Sequence, residues 1–168
     1  MIESPEKTKD KAKLYPRLCR QVAGLIESCP RPLPAMANIS ALLWAGMEEI
    51  NWCGFYLYNA NEHQLILGPF QGKAACIQIP DGKGVCGTAA VERKLQLVPD
   101  VHQFPGHIAC DDTSRSEIVI PMLCGDRLLG VLDIDSPVPN RFDQLDADGL
   151  TGIVELLTNE DVWDGSMY

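Results

Sequence analysis

The stretch Ala75–Ala90 reads A-C-I-Q-I-P-D-G-K-G-V-C-G-T-A-A, and further along Cys110–Glu117 reads C-D-D-T-S-R-S-E. Three of the seven cysteines of the chain lie in these two segments. Cys76 opens a short apolar run, Cys86 stands where a glycine-rich turn meets a helical pattern, and Cys110 lies in a long polar loop. Because cysteines from three elements can converge on one site, we hypothesise that this site carries out redox chemistry on a small molecule.

The composition indicates one ordinary soluble domain. The 168 residues are 46% hydrophobic and 7% aromatic, enough for one core and hardly for two. A net charge of -9 at pH 7 argues against nucleic acid and anionic membrane surfaces as partners. The sequence shows no apolar run of transmembrane length and no apolar core of a signal peptide near its start. We therefore expect a cytoplasmic protein, in which an odd number of cysteines fits free thiols better than a disulfide framework.

Hydrophobic spacing predicts helices near both ends of the chain and strands between them. In the strand at 52–58, alternation places Trp52 and Tyr56 on one face and Cys53 and Phe55 on the other. Four helices are predicted, and the second begins at a cap on Asn38 or Ser40 and ends near residue 50. The other three cover about 6–28, 85–93 and 143–157. The predicted strands cover 52–58, 64–68, 75–79, 96–98, 117–123 and 128–135.

This order of elements predicts a single α+β domain over 1–168. N-terminal helices at about 6–50 and a closing helix at about 143–157 would sandwich an antiparallel sheet formed by about 52–135. The long loop at 100–116 interrupts the sheet, and loops of this length in compact domains are more often functional than decorative.

Among the cysteines, Cys110 is the first choice for a nucleophile. Cys76 begins an apolar run and Cys86 is flanked by Gly84 and Gly87, so ordinary burial explains both. Cys110 lies in a polar loop, where burial gives no such explanation. The sequence has no C-x-x-C, and the separations of 10 and 24 residues (86 − 76 and 110 − 86) match no common zinc pattern. We therefore expect no metal, and a zinc site would be expected to recruit a histidine of the loop.

The segment Gly82–Gly87 spells G-x-G-x-x-G between a strand and a helix. This motif can indicate dinucleotide binding, but no second βαβ half follows and the predicted helix is short. We interpret the motif as a turn that leads into a helix, whose N-terminus can bind an anion such as a substrate carboxylate.

Three carboxylates surround the predicted hairpin. Asp133 and Asp135 are two residues apart in one strand and share a face, and Glu117 begins the other strand. A two-residue turn at Gly125–Asp126 would place Glu117 opposite Ile134, on the wrong face. A three-residue loop or a bulge would restore it opposite Asp133. The sequence leaves both registers open.

Several motifs together resemble one family. The sequence is similar to the free methionine-(R)-sulfoxide reductases, which are single GAF-domain enzymes, over roughly 35–157. The motifs that carry this resemblance are W-C-G-F-Y at 52–56, L-G-P-F-Q-G at 67–72, G-K-G-V-C-G at 82–87, C-D-D-T-S-R-S-E-I-V-I-P at 110–121 and L-D-I-D-S-P at 132–137. A GAF-like antiparallel sheet is therefore expected.

The resemblance implies reduction of free L-methionine (R)-S-oxide to methionine, with no cofactor and with thioredoxin as electron donor. Cys110 would attack the sulfoxide sulfur and become a sulfenic acid. Cys76 would resolve it as a disulfide, with Cys86 as the alternative resolver or a second relay. The family is also compatible with a homodimer.

The resemblance also assigns roles to the carboxylates and aromatics. Glu117 and Asp135 match the positions that protonate the departing oxygen, and Asp133 would bind the substrate ammonium. Trp52 and Tyr56 would pack against the S-methyl group of the substrate. This assignment predicts the bulge or the three-residue loop in the hairpin.

Two other classes of function are also compatible with the sequence. A GAF module that senses a small ligand, such as a cyclic nucleotide, would keep binding its ligand without Cys110. A structural or scaffolding protein would need no reactive thiol.

Overall fold

The computed structural model describes residues 5–106 and 112–163 and has an α+β architecture, as the sequence predicts. Six strands form one sheet in the order β3-β2-β1-β6-β5-β4, and every neighbouring pair is antiparallel. The helices are α1 (Lys11–Ser28), α2 (Pro32–Gly46), α3 (Gly84–Glu92) and α4 (Gln144–Leu157), and the strands are β1 (Trp52–Asn59), β2 (Gln64–Gly72), β3 (Gln78–Pro80), β4 (Gln96–Val98), β5 (Ser116–Cys124) and β6 (Arg127–Ser136).

The two faces of the sheet carry separate cores. The helices α1, α2 and α4 cover one face, where Cys53 and Phe55 of β1 are buried among their apolar side chains. The shorter α3 covers the other face, where Trp52 and Tyr56 of β1 are buried. The alternation predicted for β1 is therefore confirmed. Among the described residues, no helix has the length and apolar character needed to cross a bilayer.

The N-terminal helices differ from the prediction in their starting points. Helix α1 begins at Lys11 rather than near residue 6, and α2 begins at Pro32 rather than at a cap on Asn38 or Ser40. A proline disrupts a helix interior but suits its first turn, because the first N–H groups have no intrahelical acceptor. Helix α1 ends at Ser28, and Pro32 is the first residue of α2.

The strand predicted at 75–79 was also placed too early. Strand β3 contains only Gln78–Pro80, and Cys76 lies in the loop before it. The Tyr56 hydroxyl donates a hydrogen bond to the Cys76 carbonyl over 3.1 Å. A side chain thus binds this carbonyl, and Cys76 does not begin a buried strand.

The hairpin β5–β6 contains the predicted bulge. Leu123 pairs with Leu128 but Met122 pairs with Gly130, so Leu129 is an extra residue in β6. The expected partner was wrong, because Glu117 lies opposite Asp135 and not opposite Asp133. The insertion falls in β6 and moves that strand by one residue relative to β5, which selects Asp135.

Candidate active site

A pocket opens between α3 and the sheet, with an empty volume of about 560 Å³ that includes open solvent. Six of the predicted site residues line it, and these are Trp52, Tyr56, Cys86, Glu117, Asp133 and Asp135. Lys73, Lys83 and Ser114, which are not among the predicted site residues, also line the pocket. Lys83 lies within the Gly82–Gly87 motif and Ser114 within C-D-D-T-S-R-S-E, so the motifs already marked their neighbourhood.

The strand pairings bring the carboxylates to one end of the sheet. Asp133 pairs with Gly54 of β1, and Asp135 pairs with both Trp52 of β1 and Glu117 of β5. Glu117 and Asp133 are each 6% exposed. A carboxylate pair at this depth is expensive to ionise fully, so at least one carboxyl is expected to stay neutral near pH 7.

The electrostatics favour Glu117 as the neutral member. Burial, followed by the negative charges of Asp133 and Asp135, raises the pKa of Glu117 well above its usual value. Burial also raises the pKa of Asp133, while hydrogen bonds with Cys86 and Glu117 act in the opposite direction. Asp133 Oδ1 is buried and accepts no hydrogen bond from any residue that the structure describes. The pocket therefore combines a proton donor with an oxygen that needs a partner.

The thiol of Cys86 lies beside these acids. Helix α3 begins at Gly84 and brings Cys86 into the pocket, with Sγ 3.9 Å from Glu117 Oε1. Burial, then the charges of Asp133 and Glu117, raises the pKa of the Cys86 thiol well above its usual value. Since the thiolate is the reactive form, Cys86 is poorly suited to be a nucleophile.

The G-x-G-x-x-G segment forms a turn and a helix start, as the sequence indicates. Gly84 has a positive φ of 62°, and a Cβ on Gly87 would lie 2.6 Å from the Pro80 carbonyl oxygen. The sheet neighbours are antiparallel, so this segment is not part of the parallel βαβ unit of a dinucleotide fold.

Stacked aromatic rings form one wall of the pocket. The Trp52 ring stacks on Tyr56 with centroids 5.7 Å apart and on Phe70 with centroids 5.3 Å apart. Trp52 Nε1 donates to the Lys73 carbonyl over 3.1 Å. These contacts leave the aromatic wall with little freedom to reorient, which suits recognition of a small apolar group.

The structure describes Cys76 but not Cys110, the other two cysteines predicted for the site. Cys76 is half-buried and disulfide-bonded, whereas Cys19, Cys29, Cys53, Cys86 and Cys124 are free. Cys110 lies outside the described residues. The chain that follows it is anchored to the sheet, because Asn51 Nδ2 donates to Ser114 Oγ over 3.0 Å and Arg115 N donates to the Ser136 carbonyl over 2.7 Å.

The same pocket holds a group of residues that could bind a metal ion. Within the described parts of the chain, the donor atoms of Cys86, Glu117 and Asp133 lie within 4.8 Å of one another. Sequence motifs do not predict this group, because its residues come from α3, β5 and β6 rather than from one local motif.

Comparison with known proteins identifies the family. The GAF domain model matches residues 40–160. The chain is 47% identical over 148 residues to the free methionine-R-sulfoxide reductase of Escherichia coli, covering 88% of each chain. It is 42% identical over 160 residues to the enzyme of the same name from Saccharomyces cerevisiae, covering 92% of this chain and 89% of that one.

A solved structure supports the same assignment. The free methionine-R-sulfoxide reductase of Neisseria meningitidis, determined in complex with its substrate, superposes with a TM-score of 0.88 at 38% identity, covering 94% of each chain. Fold, site motifs and relatives agree, and the chain belongs to the free methionine-R-sulfoxide reductase family of GAF-domain proteins.

Proposed function

We propose that this protein reduces free L-methionine (R)-S-oxide to L-methionine. The observation that carries the proposal is the pairing of a neutral buried acid, Glu117, with the unpartnered oxygen of Asp133 in a pocket walled by stacked aromatics. The neutral Glu117 carboxyl can supply a proton, and the Asp133 oxygen can bind a cationic group. Membership of a family whose relatives carry this name supports the same substrate for this chain.

Substrate recognition follows from the lining of the pocket. An ammonium group placed at Asp133 Oδ1 would give that buried oxygen the hydrogen bond it lacks. The S-methyl group would lie against the rings of Trp52 and Tyr56. Main-chain amides at the start of α3 are suited to the substrate carboxylate. A methionine sulfoxide within a peptide has no free ammonium or carboxylate, so this arrangement favours the free amino acid.

The chemical step transfers the sulfoxide oxygen to a cysteine. The Cys110 sulfur attacks the sulfoxide sulfur while Glu117, assisted by Asp135, protonates the oxygen. The new bond between the two sulfur atoms and the sulfur–oxygen bond of the substrate then break as the protonated oxygen passes to the Cys110 sulfur, which releases methionine and leaves Cys110 as a sulfenic acid. Methionine gains two electrons, and the cysteine loses two.

A second thiol returns the enzyme to its starting state. The thiol of Cys76 condenses with the sulfenic acid, which releases water and leaves a disulfide between Cys76 and Cys110. The disulfide-bonded state of Cys76 supports it as the resolving thiol. Cys86 is a buried free thiol with a raised pKa, which makes it the weaker candidate.

Electrons for the next cycle would come from thioredoxin, whose dithiol reduces the disulfide by exchange. No flavin, nicotinamide or metal enters this scheme at the protein itself. The cytoplasmic location and the homodimer both stay predictions.

A coupled assay tests the proposal. Purified protein is mixed with thioredoxin, thioredoxin reductase and NADPH, and NADPH consumption is followed with each epimer of free methionine sulfoxide. We expect turnover with the R epimer alone, and little with an N-acetylated, C-amidated analogue. Absence of turnover with both free epimers, together with tight binding of another small ligand, would support the sensor hypothesis instead.

Cysteine variants make the assay specific. Cys110→Ser is expected to abolish turnover, and Cys76→Ser to allow one turnover and then stop. Cys29→Ser is a matched control, because Cys29 is free and exposed and is expected to leave the rate unchanged. Normal turnover by Cys110→Ser would contradict the assigned nucleophile.

A further inference from the structure

Three buried donor atoms from three separate elements converge in the pocket. Cys86 comes from α3, Glu117 from β5 and Asp133 from β6, and one ligand atom of each lies within 4.8 Å of the others. Cys86 is 4% exposed and the two acids 6% exposed. Exposed acidic groups are often solvated without a ligand, but these three residues are buried and line the pocket.

One oxygen of this group is left without a hydrogen bond. Asp133 lines the pocket, and its Oδ1 atom is buried and has no partner among residues 5–106 and 112–163. An unsatisfied buried acceptor costs about 1–3 kcal/mol unless a bound species supplies a partner. Together with the clustering of the donor atoms, this oxygen therefore indicates that the site can accept a cationic or hydrogen-bonding ligand.

We propose that Cys86, Glu117 and Asp133 form a Zn²⁺ site in which one coordination position stays open to the pocket. A thiolate combined with two carboxylates suits zinc, whereas Mg²⁺ and Ca²⁺ select oxygen ligands alone. Zinc bonds of about 2.3 Å to sulfur and about 2.0–2.2 Å to oxygen place tetrahedral sulfur and oxygen ligands about 3.5 Å apart. The distance of 3.9 Å between Cys86 Sγ and Glu117 Oε1 is close to this requirement.

The Cys86 thiol stays available to a metal ion while Cys76 is oxidised. Cys86 is a free thiol in the structure in which Cys76 is disulfide-bonded. Zinc should therefore bind to the oxidised protein as well as to the reduced one. Binding through the proposed catalytic pair would behave differently, because a disulfide removes both of its thiolates.

Occupation by zinc would block the pocket. This consequence rests on the proposed function, in which the Asp133 carboxylate binds the substrate ammonium and Glu117 protonates the sulfoxide oxygen. A zinc ion bonded to both carboxylates takes the place of the ammonium and removes the proton donor. Zinc would then be a reversible inhibitor that competes with methionine sulfoxide, and a chelator would restore activity.

Metal binding can be tested without any assay of reductase activity. Oxidised and reduced protein are titrated with Zn²⁺ against a chromophoric chelator, and with Co²⁺ to observe the sulfur-to-cobalt charge-transfer band. We expect one equivalent of metal in both redox states, with the charge-transfer band present in both. Failure of the oxidised protein to bind metal would overturn the proposal, whether or not the reductase assay succeeds.

Variants identify the ligands. Cys86→Ser is expected to remove the charge-transfer band, and Asp133→Asn and Glu117→Gln are each expected to weaken zinc binding about tenfold or more. Cys29→Ser, which removes an exposed free thiol, should bind as the wild type does. Circular dichroism checks that each variant is folded. A band that survives in folded Cys86→Ser, or affinity unchanged in folded Asp133→Asn, would overturn the assignment.

Discussion

The Tyr56 hydroxyl donates a hydrogen bond to the Cys76 carbonyl over 3.1 Å, and this bond connects the pocket wall to the loop that holds the disulfide-bonded cysteine. Tyr56 also stacks on Trp52, so one side chain contributes to the proposed substrate wall and positions the proposed resolving cysteine. Removing the Tyr56 hydroxyl should therefore affect formation of the disulfide more than reduction of the substrate.

Tyr56→Phe keeps the ring and removes this hydrogen bond. We expect the free energy of unfolding to fall by about 1 kcal/mol, and formation of the disulfide to slow because Cys76 is less well positioned. The sulfenic acid on Cys110 should then persist longer after one turnover, which a sulfenic-acid trapping reagent and mass spectrometry would measure. Tyr58→Phe is the matched control, since Tyr58 is also in β1 and its hydroxyl donates to the Asp81 side chain rather than to the Cys76 carbonyl. Equal trapping in both variants would contradict the positioning role.

Glu117→Gln removes the proposed proton donor and nearly preserves its shape. We expect the rate of the first chemical step to fall about 10²–10⁴-fold, with substrate binding less affected. In the wild type the rate should fall as pH rises through the raised pKa of Glu117, because the neutral acid is then lost. The variant should lack this alkaline limb. Rapid-quench measurement of methionine formed in one turnover, from pH 6 to 10, tests both expectations.

The same substitution is expected to change stability in a pH-dependent way. The folded-state pKa of Glu117 lies above its unfolded value, so the charged form is disfavoured in the native state. The free energy of unfolding is therefore unaffected at pH values below the pKa of Glu117 in the unfolded chain, and it falls as pH rises towards the pKa in the folded protein. The total fall is about 1.4 kcal/mol for each unit by which the two pKa values differ. Glu117→Gln should therefore be more stable than the wild type at pH 8, and the difference should shrink towards pH 4. Urea unfolding at the two pH values measures it, and a constant difference would contradict the raised pKa.

Asp133→Asn tests recognition of the substrate ammonium. A hydrogen bond with a charged group contributes about 1.5–3 kcal/mol, so kcat/KM for free methionine sulfoxide should fall about 10- to 150-fold, mainly through KM. Activity on the N-acetylated, C-amidated analogue should change much less, because it has no ammonium to lose. A parallel loss on both substrates would instead indicate that Asp133 acts in the chemical step.

Much of the fold can be predicted from local pattern. The alternation in β1 correctly places Trp52 and Tyr56 on the face that forms the pocket, because burial has a period of two in a strand. The start of β3 could not be predicted from the pattern of apolar residues. The apolar run that begins at Cys76 looks like a strand, but a hydroxyl from β1 binds the Cys76 carbonyl across the sheet face.

The site itself depends on contacts that sequence does not record. The register that brings Glu117 opposite Asp135 comes from the extra residue Leu129, and the presence of a bulge was inferred only through the family resemblance. The approach of Cys86 to Glu117 depends on how α3 packs on the sheet, 31 residues away along the chain. Neither relationship has a local signature, which explains why residue patterns alone left the hairpin register open.

Gly130→Ala tests the bulge that sets this register. Gly130 has a φ of 157°, and a Cβ there would lie 2.0 Å from the Tyr56 carbonyl oxygen, which is main chain and has little freedom to move. We expect the free energy of unfolding to fall by roughly 2–4 kcal/mol, at the upper end of ordinary substitutions. The catalytic rate of the folded fraction should fall too, because β6 carries Asp133 and Asp135 into the pocket.

Gly24→Ala is the control, since a Cβ at Gly24 meets nothing within 4 Å and alanine should stabilise α1 by about 0.5–1 kcal/mol. Thermal unfolding and the one-turnover assay together decide the outcome, and an unaltered melting temperature for Gly130→Ala would show that β6 can shift without this glycine.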